Sequence, residues 1–279
     1  MKTLLGLLAA VALLVWGTHI VRTGLLRVYG ANLRRVLAKS ARNRFVALLA
    51  GIAVTGCLQS STATALIVSS LVGQSLVTTA AALAVMLGAD IGTSVMVQVF
   101  SFDLSWLSPL AILLGVVVFL SRQNTAVGQL GRVSIGFGLI ILALQLIFQV
   151  TRPLTASAGV QVLFATLSGD ALLDMLLAAV ITIVAYSSLA VVLLTATLAA
   201  AQIIPAEVAL ALVLGANLGS GLLAVLTTMG SQPEARRIPL GNLLFRLAGC
   251  ALALPLIGYA IPLLAAFDPE PLRLTVNFQ

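Results

Sequence analysis

Residues 55–70, TGCLQSSTATALIVSS, gather Gln59, Ser60, Ser61, Thr62 and Thr64 inside a chain that is otherwise apolar. Each hydroxyl donates one hydrogen bond and accepts others, so such a cluster can grip an anion or offer oxygens to a hard cation. A second cluster, GADIGTS at 88–94, adds the carboxylate of Asp90 and the hydroxyls of Thr93 and Ser94. No lysine or arginine lies between Phe45 and Ser121. A carboxylate within such a stretch is a cation ligand or a proton site, against the blander reading of a protonated and merely buried acid.

Both clusters occur twice. An offset of 127 residues lays Ser60-Ser61 on Ser187-Ser188, and GADIGTS on GANLGSG at 215–221. Asn217 then stands opposite Asp90, Ser220 opposite Thr93, and Gly215 and Gly219 opposite Gly88 and Gly92. Asp90 and Asn217 share a carbonyl-type oxygen, and only Asp90 brings charge. The four glycines let a backbone kink or come close to a ligand. Isolated Ser69, Ser70, Thr78 and Thr195 read as packing between helices. Packing alone has no need of a Gln-Ser-Ser-Thr run, still less of its repetition.

The elements that must hold these residues are set by composition. Of 279 residues, 61% are hydrophobic and 8% charged, and the mean hydropathy is +1.16. Soluble domains carry roughly 25% charged residues, so the solvent here is lipid and the fold is an all-α polytopic membrane protein. Each unit reads as an apolar span (4–21; 133–150), a connection (22–44; 151–170) and a polar-centred segment (45–73; 171–201). A span with the Gly-Ala motif follows (78–101; 205–229), and a last span closes the unit (107–120; 238–257).

The polar-centred segments decide the topology. The apolar arms around Gln59-Ser60-Ser61 are each too short to span. That suits a re-entrant helical hairpin, which leaves about three transmembrane helices per unit and turns the second unit upside down. A single tilted span would give four crossings and parallel repeats instead. Positive-inside counting mildly favours the hairpin, with eleven cations on one side (residues 22–44, Arg122, Arg132, Arg236, Arg237) against Lys2, Arg152 and Arg273. Residues 171–201 contain neither glycine nor proline, so the second hairpin rests on alignment with the first.

Several function classes drop out. The net charge of +7 is concentrated in 22–44, which holds seven of the fifteen cations and no acid. That block marks the cytoplasmic side and anionic headgroups, not nucleic acid. Cys57 and Cys250 sit in apolar runs without metal-ligand spacing. Residues 4–15 resemble a signal-peptide core, but the run continues to Val21 without a cleavage pattern and reads as a retained span. A serine hydrolase needs a base; the single histidine, His19, ends the first span and reads as interfacial, and no G-x-S-x-G motif exists. The chain is not expected to be an enzyme.

Cations are missing around both clusters, from Phe45 to Ser121 and from Pro153 to Ala235. An anion there would be balanced by helix dipoles of about half a charge each, by hydroxyls and by cotransported cations. A neutral substrate would need no arginine either.

QSSTATALIVSS with GADIGTS, repeated as YSSLAVVLLTA with GANLGSG, resembles the bacterial branch of the type II sodium–phosphate cotransporter family, over nearly the whole chain. The resemblance implies a sodium-coupled phosphate symporter working by alternating access, in either direction. It implies phosphate between two hairpin tips, held by Gln59, Ser60, Ser61, Ser187 and Ser188. It also implies Na+ as the coupling ion, and the oxygens to expect for it are those of Gln59, Thr62, Asp90, Thr93, Ser94, Asn217 and Ser220. Three departures stand out: Tyr186 replaces the second glutamine, Leu189 a further hydroxyl, and Asp90 the usual asparagine. The alternative is a passive anion channel or a carrier of another small anion.

The expected organisation is a first inverted repeat over 1–120, a cytoplasmic linker over 121–132 and a second repeat over 133–257. A terminal segment over 258–279 would be cut short before a further span. Expected partners are inorganic phosphate, sodium ions and membrane lipids, with anionic headgroups near 22–44; a homodimer is left open. The expected location is the bacterial inner membrane.

Overall fold

The structure, a computed structural model, describes residues 2–102, 104–155, 170–267 and 271–278. All regular structure among them is helical. Most of the connection expected over 151–170 lies outside the described residues.

α1 (Lys2–Ser40) is one helix, where the sequence suggested a span over 4–21 and a connection over 22–44. At 1.5 Å per residue it is about 58 Å long, nearly twice the thickness of a bilayer core. Its basic half therefore runs on past the apolar layer. The cause is local: residues 22–40 hold no proline and are rich in leucine and arginine, good helix formers.

Two helix pairs follow the same plan. α2 (Arg44–Leu58) and α3 (Ser61–Gly73) are separated by Gln59 and Ser60. Further along, Tyr186 and Ser187 separate a later pair, Ala171–Ala185 and Ser188–Ala200. Every boundary in the second pair lies 127 residues beyond its counterpart. The repetition extends to backbone angles. The positive-φ residues among those described are Gln59, Ser75, Tyr186 and Gln202, at φ 53, 57, 54 and 56°, which is two pairs at the same offset. Entry caps repeat as well: Phe45 N–H donates to Asn43 Oδ1, and Leu172 N–H to Asp170 Oδ1. The second break thus forms without glycine or proline, at a tyrosine held left-handed.

Between the pairs run α4 (Thr79–Ser101), α5 (Leu107–Ser121) and α6 (Ala126–Thr155). The later pair is α7 and α8; α9 (Ala206–Thr228) and α10 (Pro233–Ala253) follow. A 3-10 turn (Leu254–Leu256), α11 (Ile257–Phe267) and α12 (Pro271–Asn277) complete the described chain. Among the described residues, five segments are long and apolar enough to cross a membrane: Leu4–Ser40, Thr79–Ser101, Ala126–Val150, Ala206–Thr228 and Pro233–Leu264. The sequence suggested a sixth at 107–120. With 15 residues, α5 rises about 22 Å, short of a ~30 Å core.

α1 and α6 pack antiparallel. A Cβ on Gly17 would stand 2.9 Å from the Gly136 carbonyl oxygen, and one on Gly6 would meet Val150 at 3.4 Å. This pair provides a ruler for depth. The far end of α3 lies at the basic end of α1, where Arg34 Nη2 donates to Ser70 Oγ at 3.1 Å. The far half of α8 lines a cavity with Ile141, Leu144 and Phe148 of α6, toward the opposite end of α1.

The motif glycines lie inside continuous helices. α4 and α9 run unbroken through Gly88, Gly92, Gly215 and Gly219, none of which has positive φ. These residues let the neighbouring helices approach closely. A Cβ on Gly88 would stand 1.9 Å from the Leu48 carbonyl oxygen, and one on Gly215 2.0 Å from that of Met175. Gly92 and Gly219 likewise face the Ile52 and Ala179 carbonyls. Each pair's first helix is thereby clamped against the motif helix behind it.

Gly88→Ala and Gly215→Ala are therefore expected to lower thermal stability by about 1–3 kcal/mol or to prevent folding, as overpacking does. Gly30, with nothing within 4 Å of its Cβ position, is expected to tolerate alanine with unchanged or higher Tm. Thermal unfolding of the three purified variants in one detergent checks this.

Candidate functional site

A helix that starts inside the protein leaves its first N–H groups without intrahelical partners. At both breaks a serine meets part of that need. Ser60 is extended at φ −156°, and Ala63 N–H donates to its Oγ at 3.2 Å. Ser187, at φ −155°, receives Ala190 N–H at the same distance. A capping hydroxyl accepts through a lone pair, which leaves its proton free to donate to an anion. The uncapped N–H groups and the positive end of the helix dipole point the same way.

The two breaks meet. One cavity of about 610 Å³ is lined by Gln59 and Ser60 from the first and by Tyr186 and Ser187 from the second, with His19 and Arg22 from α1. Gln59 is only 7% exposed, and its buried Oε1 has no hydrogen-bond partner. Ser61 and Ser188 are buried one residue deeper, in the first turns of α3 and α8. All five residues expected to contact phosphate thus gather around the two breaks, three of them on the cavity wall.

Arg22 corrects the expectation that no cation stands near the tips. Its Nη1 donates to the Tyr186 carbonyl at 3.5 Å, and its Nη2 lies 3.3 Å from His19 Nδ1. His19, read from sequence as interfacial, also faces this cavity and stacks on Trp16 with ring centroids 5.8 Å apart. Both residues belong to α1, far from the motifs in sequence, which is why local reading passed over them.

A second cavity of about 310 Å³ is lined by Asp90, Ser94, Asn217 and Arg246, with Cys250 and Phe278. Three of the residues expected to ligate sodium therefore share one wall. Thr62 and Ser220 lie beside them, Thr62 Oγ1 donating to the Ser220 carbonyl at 3.5 Å. Thr93 is buried and donates to its own helix, to the Ala89 carbonyl at 3.1 Å. Gln59 is the exception: it lines the first cavity, not this one.

Arg246 is the residue that sequence reasoning missed. Its guanidinium forms an ion pair with Asp90, the side chains being 7% and 29% exposed. It also donates to the Asn217 carbonyl, to Ser220 Oγ and, at 3.2 Å, to Ser61 Oγ. With its amide turned to satisfy both neighbours, Asn242 donates to Asp90 Oδ2 at 3.1 Å and accepts from Arg246 Nε at 3.0 Å. The signal was present in GNLLFRLAG, residues 241–249, an arginine deep in an apolar run.

The two halves are unequal. Thr55 and Thr64 share a hydrogen bond of 2.7 Å between buried hydroxyls. Their counterparts are Thr182 and Val191, and Thr182 Oγ1 has no partner although the residue is 0% exposed. Leu189, opposite Thr62, is buried in the apolar core, so that oxygen has no mirror image either.

The profile of the Na+/Pi-cotransporter family matches the chain over residues 13–149 and 153–273. The chain is 58% identical over 257 residues to YjbB of Escherichia coli O157:H7, a protein provisionally named for inorganic phosphate export. That alignment covers 92% of this chain and 47% of YjbB. YjbB of Salmonella typhimurium matches with the same identity and coverage. YqeW of Bacillus subtilis, named as uncharacterized, is 23% identical over 282 residues, covering 100% of this chain and 90% of YqeW. The chain spans about half the length of the YjbB relatives it matches. No solved structure matches it.

Val191→Thr is expected to give Thr182 the partner that Thr64 gives Thr55. The variant should raise thermal stability by about 1 kcal/mol, the net worth of one buried hydrogen bond. Val191→Ala, which adds no hydroxyl, should lower it; thermal unfolding of both variants separates the two effects.

Proposed function

The chain belongs to the Na+/Pi-cotransporter family, and from that premise we propose that it carries inorganic phosphate with sodium ions by alternating access. It is a multi-pass protein of the bacterial inner membrane. Its family comprises carriers, not enzymes, so Ser60 and Ser61 serve as binding hydroxyls and not as nucleophiles.

The observation that carries this reading is the meeting of two interior helix starts at one cavity. A tetrahedral oxyanion has acceptors on every side, and the cavity offers donors from opposite directions. Ser60 and Ser187 present free hydroxyl protons, Gln59 an amide, and Arg22 a full positive charge at the rim. Ser61 and Ser188 follow in the first turns, where a shift of either tip brings them to the anion. The donor set favours an anion over a neutral solute.

Both helix pairs would be re-entrant hairpins within inverted repeats over 1–120 and 133–257, joined by a cytoplasmic linker over 121–132. The opposite placement of the far ends of α3 and α8 along α1 and α6 supports that inversion. Sodium ions would use the oxygens of Gln59, Thr62, Thr93 and Ser94; those expected from Asp90, Asn217 and Ser220 are engaged by the Arg246 guanidinium.

The buried partition between the cavities, where Ser61 and Thr62 pack against Arg246 and Ser220, favours a carrier over a passive pore. An open pore needs a continuous wet path. The YjbB relatives are named for export, which places outward movement first among the directions to be measured.

In proteoliposomes, phosphate flux is expected to require a sodium gradient and to fall at least tenfold in Ser60→Ala and Ser188→Ala. A tenfold loss corresponds to about 1.4 kcal/mol, within the reach of one hydrogen bond to a charged group. Arsenate should compete and sulfate should not. Full, sodium-independent flux in the variants would remove both the mechanism and the site, and currents far above carrier rates would establish a pore.

A further inference from the structure

Arg246 stands where its surroundings call for a metal cation. Its four Nη contacts are all oxygens, and they come from three separate helices. The Asn217 carbonyl and Ser220 Oγ belong to α9, Ser61 Oγ to the start of α3, and Asp90 Oδ1 to α4. One carboxylate, one carbonyl and two hydroxyls are the ligand chemistry of a hard monovalent or divalent ion. The guanidinium has five N–H donors, and with Asn242 receiving Nε each of the five has an acceptor. Room is reserved for the side chain: a Cβ on Gly221 would lie 3.1 Å from Arg246 Cδ.

The geometry points to Arg246 as a tethered cation, occupying an oxygen cage that would otherwise hold a sodium ion. The chain carries this positive charge permanently instead of collecting it in each cycle. The negative charge that requires it is Asp90, whose partner in the second repeat, Asn217, is neutral. Through Ser61, the same guanidinium ties the charge to the first turn of α3, next to the substrate cavity. It is a positioning residue for that tip. Water can reach the cage through the second cavity, so a sodium ion entering after removal of the guanidinium could bring part of its hydration shell.

Its consequence for transport rests on the sodium-coupled reading above, whereas the binding test stands by itself. The purified chain in detergent is compared with Arg246→Gln, Arg246→Lys and the double variant Asp90→Asn/Arg246→Gln. Radioactive sodium binding and thermal unfolding in sodium or choline chloride are measured for each. Arg246→Gln is expected to bind one sodium ion per chain more than the parent and to gain several degrees of Tm when sodium replaces choline. The lysine variant keeps a cation in the cage and the double variant removes the carboxylate, so neither should gain the ion.

An unchanged sodium count in Arg246→Gln overturns the inference. So does a loss of stability that is equal in sodium and choline, which would mark a merely structural ion pair. A gain in the double variant overturns it as well, because the ion would then lie elsewhere. In proteoliposomes, Arg246→Gln should move one further positive charge per phosphate. Absence of sodium-dependent phosphate flux in the parent would remove the transport reading alone, and the binding counts would still decide the cage.

Discussion

Two helices begin in the interior of this protein, where bulk water cannot satisfy their first N–H groups, and much of the architecture follows from that. In lipid, irregular backbone is tolerated only where protein or a water-filled cavity covers it. The chain answers with a left-handed residue, a serine cap and a shared cavity, repeated at both breaks with nearly identical angles. The donors left over by this solution are what an anion needs. Structural necessity and binding chemistry are thus the same set of groups.

Holding such tips in place requires rigid backing. α2 lies against α4 and α7 against α9 at distances that exclude even a methyl group at Gly88 and Gly215. Burial drives this less than in water, since lipid tails are as apolar as leucine, and close van der Waals packing takes over. The α1–α6 crossing at Gly17 and Gly136 applies the same device between the two halves. The glycines of the repeated motif are therefore packing residues that aim Asp90 and Asn217, two residues away from them, into the second cavity.

Charge is distributed with equal economy. The first cavity has Arg22 at its rim; the second has Arg246 held by Asp90. A largely buried charge needs a partner and further hydrogen bonds to remain ionised, and the network around Arg246 supplies both. The duplicated halves have diverged at these points. Asp90 faces Asn217 across the repeat, Thr62 faces Leu189, and the Thr55–Thr64 pair faces Thr182 and Val191. Such asymmetry leaves the two halves with unequal sets of buried oxygens.

Composition alone determined that the chain lives in lipid, and the offset of 127 residues determined that it is built twice. Both are properties of local residue type and spacing. The hydroxyl clusters, their helix starts and Asp90 were legible for the same reason. The role of the motif glycines was not, because a kink and a close contact call for the same residue, and only the neighbouring helix distinguishes them. The length of α1 and the shortness of α5 depended on local propensity against expected membrane depth, and propensity prevailed in α1. Arg22 and Arg246 were visible as letters but not as neighbours. What brings a guanidinium 156 residues away onto Asp90, or one from α1 onto the Tyr186 carbonyl, is the packing of whole helices. The long-range electrostatics of the site belong to the tertiary structure, because a charge acts through distance in space, and sequence spacing carries none of that once the chain has folded back on itself.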